Sequence, residues 1–142
     1  MTFDLTIASS KQKELIDISD KILRIVSDSK VQDGLLVIFA RHTTCSLIIS
    51  EVEDTLARDF IKYLTTEGPK GPFNHSHGDL KTHDPPHTGE SHTPAHLLSA
   101  MIGQSVNIPI TRKKLQLGTW QRICLLELDG PRQRNIIVQI FP

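Results

Sequence analysis

The sequence of 142 residues lacks an excess of charge of either sign, because 16 Lys and Arg residues balance 16 Asp and Glu residues. A nucleic-acid-binding surface is normally basic, so this balance predicts no nucleic-acid partner. No apolar run approaches the roughly 18 residues that cross a bilayer, which predicts no membrane partner. The first residues also lack a basic segment followed by an apolar run, so we expect no signal peptide and a cytoplasmic protein.

Cysteine and aromatic residues are scarce as well. The two cysteines, Cys45 and Cys124, each lie in an apolar run, and we expect buried free thiols in a reducing compartment rather than a disulfide. Core packing is the default explanation for the only tryptophan, Trp120. The length is close to that of one domain and 38% of the residues are hydrophobic, so we predict a single domain over residues 1–142.

The apolar residues alternate with polar ones in some segments, as in strands, and recur at helical spacing in others. This pattern predicts a mixed series of strands and helices. Side-chain caps mark three helix starts: Ser19, the capping-box pair Ser50 and Glu53, and Thr93 followed by Pro94. The predicted elements are a strand at 3–7, a helix from 19, strands at 35–39 and 46–50, a helix that follows the Ser50 cap and ends at Gly68, a helix at 94–102, and strands at 106–110, 120–128 and 135–141.

Histidine is concentrated in one segment, since six of the seven histidines lie between residues 75 and 96. Residues 68–92 are rich in Gly, Pro and His and have almost no apolar periodicity, so we predict a long irregular loop. Loops of this length are usually either functional or disordered.

His96 is the strongest candidate for chemistry in this segment. It falls in the first turn of a predicted helix, where the helix dipole favours a neutral imidazole that can ligate a metal or act as a base. His92 lies before the predicted cap, so the two do not make a clean chelating pair, whereas His87 could fold back beside His96. Each histidine, taken alone, could instead be a solvated loop residue, and no standard zinc spacing is present.

A second set of polar residues follows the predicted strands. His42 comes at a strand end beside Thr43 and Thr44, whose hydroxyls could bind a phosphate or orient a ligand. It could equally be a strand-end histidine with one satisfied hydrogen bond.

Glu127 interrupts an apolar strand, and a buried carboxylate needs a cation, a metal or hydrogen-bond donors. Arg132 and Arg134 flank the following turn and could clamp a phosphate. The alternatives are that Glu127 pairs with one of these arginines, or that Arg132 only neutralises Glu127 or Asp129.

Several blocks of sequence together resemble a known family. The blocks are Ile16–Ser19, Asp33–Leu35, His42–Glu51, Pro94–Leu97, Gly103–Ile110, Leu115–Gln121 and Glu127–Arg134. In this order they are similar to the YjbQ family, whose members are named secondary thiamine-phosphate synthase enzymes, and the resemblance covers nearly the whole chain.

The resemblance implies an α+β, β-rich fold: a β-sandwich decorated with helices and assembled as a homotrimer. We also expect a trimer because Leu36, Ile38, Leu125 and Leu126 predict strands that are apolar on both faces. The implied polar pocket lies near a subunit boundary and is lined by His42, His87, His96, Gln121, Glu127 and Arg132.

This pocket predicts the following roles. His42, His87 and His96 would hold a divalent metal, zinc above all, with His96 and Glu127 as catalytic residues. A small anionic or phosphorylated ligand would contact Thr43, Thr44, Gln121, Arg132 and Arg134. The implied activity is a weak thiamine-phosphate synthase, and the alternative is a non-catalytic protein that binds a metal or an anionic metabolite.

The chain departs from the family pattern at three places. Cys45 replaces the usual alanine, and Ser50 replaces a common asparagine. The insert at about 71–86 is longer than usual and adds His75, His77 and His83, which, with His92, receive no role from the resemblance.

Overall fold

The computed structural model describes residues 1–75 and 92–142, which form three helices and eight strands. The predicted ligand His87, and also His77 and His83, lie outside the described residues. In chain order the elements are β1 (Thr2–Ala8), β2 (Glu14–Asp17), α1 (Ser19–Ser29), β3 (Gly34–Ala40), β4 (Cys45–Ser50), α2 (Asp54–Thr66), α3 (Thr93–Ile102), β5 (Ser105–Thr111), β6 (Lys114–Leu115), β7 (Arg122–Glu127) and β8 (Gln133–Phe141).

Two antiparallel sheets make up the architecture. The larger has the order β1-β8-β3-β5-β6 and the smaller the order β2-β7-β4. In the larger sheet, the central strand β3 sets Leu36 opposite Ile108 on β5 and Ile140 on β8. Alternate residues of these strands are buried, as the period of two of a strand requires. The predicted helix-decorated β-sandwich is therefore confirmed.

The main core fills the space between the inner faces of the two sheets and one face of α1. Its members from α1 are Ile22 and Val26, and the smaller sheet contributes Leu47 and Leu125. Cys45 and Cys124 are both buried free thiols, as predicted. Burial raises the pKa of Cys45 to about 11, so this thiol is a packing group rather than a nucleophile. None of the helices that the described residues form is long and apolar enough to cross a membrane.

A second cluster covers the opposite face of the smaller sheet. Leu126 and Leu128 pack there against Leu64 of α2 and Leu98 of α3. The apolar character of β7 on both faces was predicted correctly, but the chain's own helices cover it.

The sequence argument for a trimer from Leu36, Ile38, Leu125 and Leu126 is thus wrong, because all four side chains are fully buried in one protomer. The apolar side chains that do point outward from the larger sheet include Leu35, Phe39 and Phe141, which are 40%, 46% and 50% exposed.

The helix starts differ from the predicted caps. The Ser19 hydroxyl does not cap α1; it accepts a hydrogen bond from the backbone N–H of Ile123 at 2.8 Å and so links the helix to β7. For α2 the cap is Glu53 and not Ser50, since the Glu53 carboxylate accepts the N–H groups of Thr55 and Leu56. An acidic side chain at this end also interacts favourably with the helix dipole.

Candidate functional site

Three histidines of the described residues come together at the start of α3. The imidazole nitrogens that His75, His92 and His96 offer all lie within 4.8 Å of one another. The ring centroids are 5.0 Å apart for His92 and His96, 5.1 Å for His75 and His96, and 5.3 Å for His75 and His92. His92 is buried, His96 is half-buried and His75 is exposed, so the group faces solvent on one side.

The start of α3 brings two of these rings together. His92 occupies the N-cap position, and its carbonyl oxygen accepts the N–H groups of Ala95 at 3.0 Å and His96 at 3.3 Å. Pro94 lies in the first turn, where its missing N–H group costs nothing. The prediction that Thr93 caps this helix and separates His92 from His96 is therefore wrong, because the two side chains are one helical turn apart on one face.

The geometry of the group fits a transition-metal ion. Zinc–imidazole bonds of about 2.0–2.1 Å place ligand nitrogens roughly 3.3 Å apart, so small side-chain rotations bring these three rings into contact with one ion. Three imidazoles leave one tetrahedral position open, which is the arrangement of catalytic rather than structural zinc sites. His75, His92 and His96 could therefore hold a metal.

His42 is not a member of this group among the described residues. Its Nε2 accepts the backbone N–H of Asn135 at 2.7 Å, which ties the ring to β8. Burial lowers the pKa of His42, and the nearby Arg134 guanidinium lowers it further. The ring is therefore neutral near pH 7, with its proton on Nδ1. Of the predicted ligands that the structure describes, His96 belongs to this group and His42 does not. The group also contains His75 and His92, for which no role was predicted.

Glu127 and Arg134 form a buried ion pair. Arg134 donates from Nε to Oε2 of Glu127 at 2.8 Å and from Nη2 to Oε1 at 2.5 Å. Nη2 also contacts Thr44, its hydroxyl at 3.0 Å and its carbonyl oxygen at 3.2 Å. These contacts correspond to the alternative in which Glu127 pairs with an arginine.

Further donors complete the shell of the Glu127 carboxylate. The hydroxyl of Ser9 donates to Oε2 at 2.8 Å, and the backbone N–H groups of Leu128 and Asp129 donate to Oε1 at 3.0 and 2.9 Å. Burial alone would raise the pKa of Glu127, but the hydrogen bonds and charge of Arg134 outweigh it and lower the pKa. The carboxylate is thus held ionised, as a structural anion with both oxygens occupied.

The turn after β7 is drawn tightly against the loop that follows β1. Gly130 donates its N–H to the carbonyl oxygen of Gln12 at 2.9 Å. A Cβ at position 130 would collide with the carbonyl oxygen of Lys11 and lie 2.7 Å from the Ser9 hydroxyl, so only glycine allows this approach.

Arg132 lies in the same turn and points at Asp129. Its Nε donates to the backbone carbonyl oxygen of Asp129 at 2.7 Å, and its Nη2 contacts the Asp129 carboxylate at 3.0 Å. The backbone N–H of Arg132 donates to the Ser9 hydroxyl at 2.8 Å. The structure thus places Arg132 in the neutralising contact that the sequence left open as an alternative to anion binding.

The remaining predicted ligand residues lie at the surface. Thr43 is exposed, and Gln121 closes a turn in which its Oε1 accepts the N–H of Gly118 at 2.7 Å. Trp120 lies between Gly118 and Gln121 in this turn, where it projects outward and is 72% exposed. The expectation that Trp120 packs in the core is wrong, because its side chain lies in a surface turn and is largely exposed.

The fold and the site thus define the class of protein. It is a small β-sandwich, decorated with helices, that carries a group of three histidines at the start of a helix. A family model described as "UPF0047 protein YjbQ-like" matches residues 3–142. The chain belongs to the YjbQ/UPF0047 family, as the resemblance predicted.

Relatives and solved structures agree with this assignment. A UPF0047 protein of Archaeoglobus fulgidus is 38% identical over 136 residues, which cover 96% of this chain and 98% of that protein. A UPF0047 protein of Methanocaldococcus jannaschii is 38% identical over 142 residues, covering 99% and 94%. The crystal structure of an uncharacterized YjbQ/UPF0047 protein from Clostridium acetobutylicum matches with a TM-score of 0.83 at 31% identity and covers 98% of this chain and 99% of that chain.

Proposed function

We propose that the protein binds one divalent metal ion per chain, zinc in preference to others, through His75, His92 and His96. The observation that carries the proposal is the approach of three imidazole nitrogens to within 4.8 Å of one another. Neutral imidazole is a common zinc ligand, whereas magnesium and calcium prefer oxygen donors, so the donor set favours zinc.

The proposed substrate is a small phosphorylated molecule whose anionic group lies at the open side of the site. Bound zinc would supply a Lewis-acid position for such an oxygen. The N-terminal end of α3 carries a partial positive charge, which favours an anion close by.

The finer proposal is the thiamine-phosphate synthase activity that the family resemblance implies. In that reaction the thiazole nitrogen forms a bond to the methylene carbon of a pyrimidine pyrophosphate, and the carbon–oxygen bond to pyrophosphate breaks. The chain's contribution would be positioning of the two substrates and neutralisation of the leaving pyrophosphate. The alternative is a protein that binds a metal or an anionic metabolite without turnover.

Zinc stoichiometry tests the metal site. We expect the purified protein, treated with chelator and then titrated with zinc, to bind one ion per chain by calorimetry. His96→Ala and His92→Ala abolish this binding, whereas His42→Ala retains it because His42 is tied to β8. Loss of zinc binding in His42→Ala with retention in His92→Ala would overturn the proposed ligand set.

An assay of the zinc-loaded protein separates the enzyme from the binding protein. An enzyme produces thiamine phosphate from the pyrimidine pyrophosphate and the thiazole phosphate with saturable rates that disappear in His96→Ala. Zinc binding at one ion per chain without any turnover would support the non-catalytic alternative.

We also propose the homotrimer that the resemblance implies. The outward face of the larger sheet supports it, because Leu35 on β3 lies opposite Phe141 on β8 and Pro109 on β5, which makes a contiguous apolar row. Exposed apolar patches of this kind are typical of protein interfaces.

A further inference from the structure

A groove of about 560 Å³ lies between α2 and the segment that leads into and forms β2. Its volume falls within the roughly 300–1,000 Å³ that is typical of small-molecule sites. None of the residues that line it belongs to the three-histidine group or to the network around Glu127.

The floor of the groove is apolar. Leu15 of β2 and Ala57 and Ile61 of α2 form it, and all three are half-buried. Leu15 and Ile61 pack in turn against the cluster that contains Leu64 and Leu126. The floor is therefore continuous with the core, and a flat group that lies on it would exclude water from its apolar surface.

The rim of the groove is cationic on both sides. Lys11 and Lys13 stand on the β2 side, and Arg58 and Lys62 on the α2 side. Arg58 and Lys62 are four residues apart on one helix, so their charges repel each other. In the part of the chain that the structure describes, none of the four belongs to an ion pair.

The two carboxylates at the groove, Glu14 and Asp54, offset half of this charge and leave the cations in excess. Glu14 accepts the N–H of Ser10 at 2.7 Å, the Ser10 hydroxyl at 3.1 Å and the N–H of Lys11 at 3.3 Å, which turns it toward its own loop. Asp54 lies in the first turn of α2, where the helix dipole interacts with it favourably. A cationic rim over an apolar floor remains.

We propose that this groove binds a phosphate monoester that carries a planar aromatic group, with a nucleoside monophosphate as the model ligand. The phosphate lies between the rim cations, and the Arg58 guanidinium offers it two parallel N–H donors. The planar group covers Leu15, Ala57 and Ile61. A small molecule fits better than a nucleic-acid strand because the formal net charge of the chain is zero.

The test uses AMP, adenosine and inorganic phosphate as probes in calorimetric titrations of the whole chain. Each titration is run once with chelator and once with excess zinc. The comparison distinguishes binding in the groove from binding to a metal at the histidine group. We expect saturable AMP binding in both conditions, with adenosine and phosphate each at least tenfold weaker.

A matched pair of double variants locates the site. Arg58→Gln with Lys62→Gln lowers AMP affinity at least tenfold, because each charge-assisted hydrogen bond is lost. Lys21→Gln with Arg24→Gln removes the same charge from exposed positions on α1 and leaves the affinity unchanged. All four side chains are exposed, so both variants fold, which circular dichroism verifies.

Three results would each overturn the proposal: no saturable binding of AMP by the wild-type chain, equal affinity in the two double variants, or AMP binding that appears only with zinc. Amide chemical-shift changes on AMP addition that include Leu15, Ala57 and Ile61 would support it, and changes confined to the start of α3 would contradict it.

Discussion

The Arg134 guanidinium makes two contacts with the Glu127 carboxylate inside the protomer, where the side chains are 3% and 0% exposed. A charge pair removed so completely from water contributes little net stability when intact, but the loss of one member leaves the other charge buried and unpaired. The pair therefore acts as a constraint that fixes the end of β7 against β8.

This pair predicts a strongly non-additive mutant cycle. We expect Arg134→Met to lower the free energy of unfolding by about 3–5 kcal/mol, because Glu127 loses its cation. The double variant with Glu127→Leu should be less destabilised than the sum of the two single changes, as urea unfolding at one fixed protein concentration would measure. Costs that add within about 0.5 kcal/mol would show that the two residues act independently.

The lowered pKa of Glu127 predicts a loss of stability in acid. A carboxyl group whose pKa is lower in the folded than in the unfolded chain stabilises the fold above its ordinary pKa of 4.5. That stabilisation is lost as pH falls through the folded-state pKa. The urea concentration at the unfolding midpoint, measured between pH 7 and pH 2.5, should therefore decrease once the pH is below about 4.5. We expect this decrease in the wild type and in the exposed control Glu51→Gln. Glu127→Gln should be less stable at pH 7 and show a shallower decline.

Metal binding to the folded chain should raise its melting temperature. An ion at 100 times its dissociation constant stabilises the state that binds it by about 2.7 kcal/mol. By scanning calorimetry, we expect zinc to raise the melting temperature of the wild type and of His42→Ala, but not that of His96→Ala. A wild-type shift that persists in His96→Ala would place the metal elsewhere.

The exposed apolar side chains on the outward face of the larger sheet predict that the protein assembles through this face. Phe39→Asp should convert the proposed trimer into monomers in sedimentation velocity, because a charge would be buried in the interface. Leu23→Asp on α1 is the matched control, since Leu23 is 43% exposed and Phe39 is 46% exposed. A wild-type monomer at micromolar concentration, or a trimer unaffected by Phe39→Asp, would contradict the assignment.

Arg132→Lys separates the two roles of Arg132. A direct anion ligand would lose about 1–3 kcal/mol of pyrophosphate affinity with little change in melting. The contacts with Asp129 predict the opposite, because lysine cannot reproduce both the carbonyl and the carboxylate contact. We therefore expect a lower melting temperature and unchanged pyrophosphate binding by calorimetry.

Local pattern was sufficient for the elements that alternate or repeat regularly. The strand of Phe3, Leu5 and Ile7 and the helix containing Phe60 and Leu64 could be predicted because their burial follows the period of the element. The strand β2 was not predicted, because its four residues are too few to show alternation and it forms only by pairing with β7.

The candidate site was predictable only in part, for a related reason. His96 was found because its position in a helix turn is a local property. The approach of His75 to His92 joins two residues whose numbers differ by 17, and no local pattern encodes a contact at that separation. Likewise, the choice of Arg134 over Arg132 as the partner of Glu127 follows from β8, where alternation points Arg134 inward.

The exposed Trp120 makes the protein a poor subject for fluorescence-detected unfolding and a good one for fluorescence-detected binding. It is the only tryptophan, and with 72% of it exposed its indole is already surrounded by water in the folded chain. Denaturation changes that environment little, whereas a molecule that covers the Gly118–Gln121 turn shifts the emission to shorter wavelength. The native chain thus carries its own optical reporter at one known point of its surface.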